Sequence, residues 1–186
     1  WEVDDVVFPR RSFGNSYALP INVSNPQELA PILMKLVEKT AWRLRKHGYS
    51  ACGIHLALAF RSGNFWHRGI TVGTQLHSTQ DIYKQLFRLL YHCPYREPVQ
   101  ILSECVFDLV QSEHPQLELF DDVIRKHDLS KAIDSVKAKF GTYAITPAMM
   151  LGTENLVPDR VPFGGMKEVM DFVTEDDIDD FETFNE

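Results

Sequence analysis

The chain has 186 residues, 44% hydrophobic and 24% charged, with 19 Lys and Arg against 26 Asp and Glu for a net charge of −7. That is enough apolar chain for a core of its own, and an aromatic share of 11% excludes a wholly disordered protein. No apolar run approaches the roughly 20 residues of a bilayer-spanning helix, so a soluble, cytoplasmic chain with no membrane partner is expected.

The opening Trp1-Glu2-Val3-Asp4-Asp5 has neither a starting Met nor a basic n-region, and reads as the cut edge of a longer protein rather than a signal peptide. Cys52, Cys93 and Cys105 form no C-x-x-C pair and read as reduced thiols. Charge is unevenly spread. Residues 167–186 hold one Lys and nine acids, whereas residues 10–113 hold twelve Lys or Arg against seven acids. The acidic end lacks the turn Gly and closing Glu of a calcium loop and reads as a solvated terminus.

Residues 11–19 predict a strand that Pro20 ends. Ser24-Asn25-Pro26 then opens a helix whose Leu29, Ile32, Leu33, Leu36, Val37 and Leu44 share one stripe. Lys35, Lys39, Arg43 and Lys46 fall on its flanks and outer face, and Gly48 stops it. Residues 51–61 alternate, with Ile54, Leu56, Leu58 and Phe60 on one side and Gly53, His55, Ala57, Ala59 and Arg61 on the other. After the turn Ser62-Gly63-Asn64, residues 66–76 set Ile70, Val72 and Leu76 against His67, Gly69, Thr71, Gly73 and Gln75, completing a hairpin. A second helix starts at Ser78-Thr79-Gln80-Asp81, Pro94 and Pro98 close off its end, and residues 99–109 form a fourth strand.

The order βαββαβ predicts an α+β, ferredoxin-like fold: a four-stranded antiparallel sheet with two helices on one face, followed by a C-terminal helix and an acidic tail. The open face is rich in small residues, with Arg10, Arg11, Arg61 and Arg68 at strand starts or the rim. His55, His67, Thr71 and Gln75 supply hydrogen-bond donors, a set suited to phosphate oxygens. A face packed on another domain, with Arg side chains as solvated edge charges, fits the same pattern. The adjacent aromatics of an RNA-reading RRM are not evident.

Arg10-Arg11-Ser12-Phe13-Gly14-Asn15-Ser16 is similar to the strand-opening segment of the little finger of Y-family translesion DNA polymerases, of the bacterial DinB/UmuC-like kind. Leu44-Arg45-Lys46-His47-Gly48-Tyr49-Ser50-Ala51, the hairpin through Phe60-Arg61-Ser62-Gly63-Asn64-Phe65, and the helix from Ser130 to Gly141 extend the resemblance over about residues 8–145. It implies a DNA-binding domain over 1–113, a clamp-binding peptide over 114–122 and a C-terminal extension over 123–186. Arg10, Arg11, Ser12, Gly14, Arg61, Arg68 and Thr71 would hold the phosphates of a primer–template duplex. The polymerase carboxylates and their magnesium ions would sit in a palm before Trp1, leaving this monomeric piece non-catalytic and without a cofactor. The last strand departs from the family, with Gln100 in place of an Arg and Glu104 adding negative charge. A shallower salt dependence of DNA binding is therefore expected.

Gln116-Leu117-Glu118-Leu119-Phe120 resembles the peptide by which bacterial polymerases bind the sliding clamp. Leu119 and Phe120 would fill an apolar cleft, Leu117 would lie beside them, and Gln116 would bond at the rim. These residues also suit simple packing onto the body. Beyond them, Leu129, Ala132, Ile133, Val136 and Phe140 predict an amphipathic helix ending at Gly141, and residues 142–165 read as extended or irregular. Two rival functions remain: a protein-interaction module with no DNA role, and an enzyme holding metal between His55 and His67, for which no third ligand is evident.

Overall fold

The chain runs β1 (Ser12–Val23), α1 (Pro26–Lys46), β2 (Tyr49–Phe60), β3 (Phe65–Leu76), α2 (Thr79–Tyr91), β4 (Val99–Gln111), α3 (Asp121–Phe140) and a 3-10 turn at Ala148–Met150. This computed structural model describes residues 12–111, 121–141 and 144–152. The fold is α+β, with one antiparallel sheet in the spatial order β1-β4-β2-β3. Strand β4 is inserted between β1 and β2, so the last strand of the unit becomes central and β1 and β3 become the edges.

Local chemistry places the helices where the sequence predicts them. The Asn25 side chain accepts from the Gln27 N–H at 3.0 Å and caps α1. Ser78 does the same for α2, accepting from the Asp81 N–H at 3.1 Å. Gly48 leaves α1 at φ 72° and Gly141 leaves α3 at φ 99°, conformations that a Cβ would strain. Both helices bury their apolar stripes against one face of the sheet. Leu33, Leu44, Ile54, Leu56, Ile82, Leu86, Leu102 and Val106 are fully buried there in a single core, each worth about 1.5–3 kcal/mol of transfer free energy.

Three local expectations change. Strand β1 continues through Pro20 to Val23, because it is an edge strand and its pairing with β4 lapses between Ala18 and Val23. Pro has no N–H to give a ladder, and none is asked of it there. In β3 the hairpin ladder is interrupted after Thr71, although Ile70, Val72 and Leu76 pack on the core together as expected. Thr71 pairs with Gly53 and Leu76 with Ala51, so the intervening residues, Gly73 and Gln75 among them, bulge out. Lys35, predicted on the flank or outer face of α1, is buried, at 3% exposure.

Helix α3 starts at Asp121, well before the Ser130 expected, and docks by little of its apolar stripe, with Ile133 and Val136 only half-buried. Leu129 and Phe140 are 61% and 67% exposed. Its contacts with α1 and α2 are ionic instead. Asp134 accepts two bonds from the Arg45 guanidinium, at 2.6 and 2.8 Å. Lys137 is buried against Glu38, and Lys126 reaches Asp81 at 3.1 Å. His127 stacks on His77 with ring centroids 4.6 Å apart. Burial, then the neighbouring His127 and Arg45, hold His77 down at about 4. Within the 142–165 segment, Met150 is buried. The acidic tail lies outside the described residues. Among the described residues, no helix is long and apolar enough to cross a membrane.

Candidate nucleic-acid interface

The sheet register sorts the four strands into rows. On the helix side, Phe13, Val106, Ile54 and Ile70 form one row, Asn15, Glu104, Leu56 and Arg68 the next, and Tyr17, Leu102, Leu58 and Trp66 the third. On the other side the rows read Ser12–Phe107–Gly53–Thr71, then Gly14–Cys105–His55–Gly69, Ser16–Ser103–Ala57–His67, and Ala18–Ile101–Ala59–Phe65. No described element packs over this second face. It is a field of hydroxyls, glycines, alanines and imidazoles, and the only Lys or Arg anywhere in the four strands, Arg68, is not on it.

The expected DNA-binding residues therefore separate. Ser12 and Thr71 share a row but sit on opposite edge strands, about 14 Å apart at normal strand spacing. Gly14 lies in the adjacent row. Arg68 is exposed, but it pairs with the buried Leu56 and shares the helix side of the edge strand. Arg61 follows β2 at the far end of the sheet, and its guanidinium donates to the Leu19 carbonyl at 3.0 Å, tying the β2–β3 turn to β1. Arg10 and Arg11, and the peptide residues Gln116, Leu117, Leu119 and Phe120, lie outside the described residues.

The small residues have work inside the sheet as well. A Cβ on Gly14 would stand 2.5 Å from the Cys105 Cβ and 2.6 Å from the Glu104 carbonyl oxygen. A Cβ on Gly53 would meet the Phe107 ring at 2.4 Å, because Phe107 lies across that glycine. Phe107 was not singled out in the sequence; its place is visible only once β4 is known to adjoin β2. With Phe65, 60% exposed at the opposite end of the face, it puts two aromatics on the surface, three rows apart rather than adjacent as in an RRM.

Glu104 corrects the reading of the last strand. It points to the helix side, 2% exposed, and adds no charge to the open face. Thr40 donates to its Oε1 at 2.5 Å, and Asn15 in turn donates to the Thr40 hydroxyl at 2.8 Å. Arg43 completes the cluster by donating to the Gly14 carbonyl at 2.7 Å and to Asn15 Oδ1 at 2.8 Å. Among the described residues, Glu104 Oε2 has no hydrogen-bond partner. Burial pushes this carboxyl up to about 7, against the opposing pull of Thr40 and Arg43. The expected loss of salt dependence through Glu104 therefore has no geometric basis, while Gln100 remains exposed at the end of β4.

The two histidines meet on the open face, His55 Nε2 lying 3.2 Å from His67 Nδ1. Among the described residues, no group of three or more His, Cys, Asp or Glu stands together to hold a metal ion. The pair is a hydrogen-bonding feature with both outer nitrogens facing outward from the bond they share.

A family profile described as the impB/mucB/samB family C-terminal domain matches residues 10–119. The chain belongs to that family. Among its curated relatives, DNA polymerase IV of Pelotomaculum thermopropionicum is 27% identical over 151 residues, covering 81% of this chain and 38% of the relative. DNA polymerase IV 2 of Bacillus subtilis is 27% identical over 148 residues, covering 76% and 35%. The chain thus spans well under half the length of these relatives. A solved Y-family DNA polymerase chimera of Dbh resembles the family domain described here with a TM-score of 0.48 at 19% identity, over 56% of this chain and 30% of that one. The little finger domain of PolIV in complex with the beta-clamp processivity factor does so with a TM-score of 0.43 at 13% identity, over 58% and 97%.

Proposed function

We propose that residues 1–113 are the duplex-holding little finger of a Y-family lesion-bypass DNA polymerase acting in translesion synthesis and DNA repair in the cytoplasm. Residues 114–122 then carry its sliding-clamp peptide, and residues 123–186 form a C-terminal extension. The observation that carries the reading is an uncovered sheet face, free of strand carboxylates except Asp108 at one edge, within a domain whose relatives are polymerases. Hydroxyls such as Ser12 and Thr71, together with Arg10 and Arg11 at the entry to β1, suit phosphate contacts that position a duplex without reading its sequence.

The piece works as a non-catalytic monomer. Phosphoryl transfer in the parent belongs to a palm whose carboxylates would hold magnesium, and none of the residues described here takes part in it. Linking a weak DNA contact to a weak clamp contact raises the effective concentration of each and lengthens residence on the template.

Two binding measurements test the proposal. The 186-residue chain should bind labelled primer–template duplex at low salt without sequence preference and release it as salt rises. A chain that retains no duplex at low salt favours the rival protein-interaction module. Replacing Leu119 and Phe120 together by Ala should weaken binding to a bacterial sliding clamp by about thirtyfold or more, the effect of losing a hot-spot anchor. Undiminished clamp affinity would refute the peptide assignment and leave the DNA role standing.

A further inference from the structure

The His55–His67 contact has a consequence that follows from imidazole chemistry. In the neutral pair one ring donates the 3.2 Å bond and the other accepts it. Of the two outer nitrogens, Nδ1 of His55 and Nε2 of His67, one therefore carries a proton and the other a lone pair. A single added proton goes to that lone pair. The bond between the rings survives, both outer nitrogens become donors, and the pair gains one positive charge. A second proton would have to break the bridge and is opposed by the first.

The surroundings leave that charge alone on the surface. No strand places Lys or Arg on this face among the described residues. From β3, Gly69 lies opposite His55, and its missing side chain gives the His55 ring room: a Cβ there would stand 3.2 Å from Cδ2. The Phe65 ring lies 5.5 Å from that of His67. From β4, the group facing His55 is Cys105, whose thiol is held neutral by burial and by Glu104. The acid on this side of the sheet, Asp108, reaches Thr71 at 3.4 Å. Partial burial, then the neighbouring His67, hold His55 below its ordinary value, so the pair awaits an anion or mild acid before charging.

We propose that the His55–His67 pair is a proton-gated contact for the phosphodiester backbone, so that this face grips duplex DNA more tightly as pH falls. The inference rests on the little-finger reading above and adds regulation to that surface. One charge that neutralises one phosphate multiplies affinity by about eightfold at 0.1 M salt and steepens the salt slope by about 0.9.

The test is a titration of the 186-residue chain with primer–template duplex at pH 8 and pH 5.5 over several salt concentrations. It is repeated with the double variant His55→Gln/His67→Gln, which keeps hydrogen-bonding side chains but cannot charge. The wild-type chain should bind about five- to tenfold more tightly at pH 5.5 at 0.1 M salt, with the steeper slope, and the double variant should lose most of that pH response. As a second readout, the imidazole resonances of the pair should titrate at higher pH with duplex bound than without it. Equal wild-type affinity at both pH values, an unchanged pH response in the double variant, or titration unaffected by duplex overturns the inference while leaving the little-finger reading intact. Absence of duplex binding at both pH values overturns that reading and the inference together.

Discussion

The two sides of the sheet are made by the same four strands and hold opposite inventories. On the helix side, Ile54, Leu56, Leu58, Leu102 and Val106 are buried to the last atom or nearly so, and the polar residues among them, Asn15, Thr40, Arg43 and Glu104, are tied into one network. On the open side most side chains are small, hydroxylated or imidazole, with Phe65, Ile101 and Phe107 among them, and apart from Gly53 the residues are exposed or half-buried. Period-two alternation explains how one chain writes both surfaces: each core residue is followed by one that faces out. The comparison separates stability from recognition. The helix side holds the fold, and the open side is left free to meet a ligand.

Substitution tests that separation most strongly in the core. Leu56→Ala should lower the unfolding free energy by about 2–5 kcal/mol in urea denaturation, since it opens a cavity under both helices. Ala57→Ser, one residue along and on the opposite face, should stay within about 0.5 kcal/mol. A comparable loss at Ala57 would break the comparison.

The next effect belongs to Glu104. Its carboxyl is raised to about 7 in the folded chain, so the native state holds a proton more tightly than the unfolded one. The contribution of this group to stability is therefore greatest below the unfolded carboxyl value near 4.5. It falls as pH rises towards 7 and levels off beyond, by about 3 kcal/mol in all. Because His77, held at about 4, adds an opposing rise over the lower part of that range, the decline is read as a difference: between pH 4.5 and 8 the denaturation midpoint of the wild type should lose ground steadily to that of Glu104→Gln, which is neutral throughout. A Gln variant with the wild-type slope would move the titrating group elsewhere.

A smaller effect concerns α3, a third kind of surface held by charge rather than by apolar contact. Asp134→Asn removes the charge that meets Arg45 and should reduce amide-exchange protection along α3 by about tenfold, a loss of about 1.4 kcal/mol, while core strands keep theirs. Raising salt should have a weaker effect in the same direction, because Lys137 and Glu38 are shielded by burial. Lys126→Ala, which breaks the exposed pair with Asp81, should change protection hardly at all. Loss of protection spread equally through β2 and β4 would show α3 to be part of the core after all.

Several features were readable before any coordinates. The caps at Asn25 and Ser78, the stops at Gly48 and Gly141, and the alternation of β2 are local rules, satisfied within a few residues of chain. The little-finger resemblance was carried by such segments in their order over about residues 8–145, and the family match covers residues 10–119 of that stretch. Less was readable where two distant segments meet. The strand beside β2 is β4, and only that adjacency puts Phe107 over Gly53 and Cys105 beside His55. Glu104 shares the apolar parity of β4 with Leu102 and Val106, so its burial could be read locally, but its partner Thr40, 64 positions away, could not. Helix α3 misled for a related reason: its apolar stripe was plain, but the surface offered by α1 included Glu38 and Arg45, and ion pairs chose the docking face.

By itself, the sequence determined which segments become strands and helices, which side of each strand is apolar, and the family to which the chain belongs. These depend on backbone sterics, capping and periodicity, all of which act over a few residues. Tertiary structure alone decided which strands are neighbours, that Glu104 meets Thr40, that Phe107 lies across Gly53, and that two histidines twelve residues apart share a hydrogen bond. Those outcomes depend on register and on which surfaces meet, and both are settled by the packing of the whole core rather than by any stretch of it.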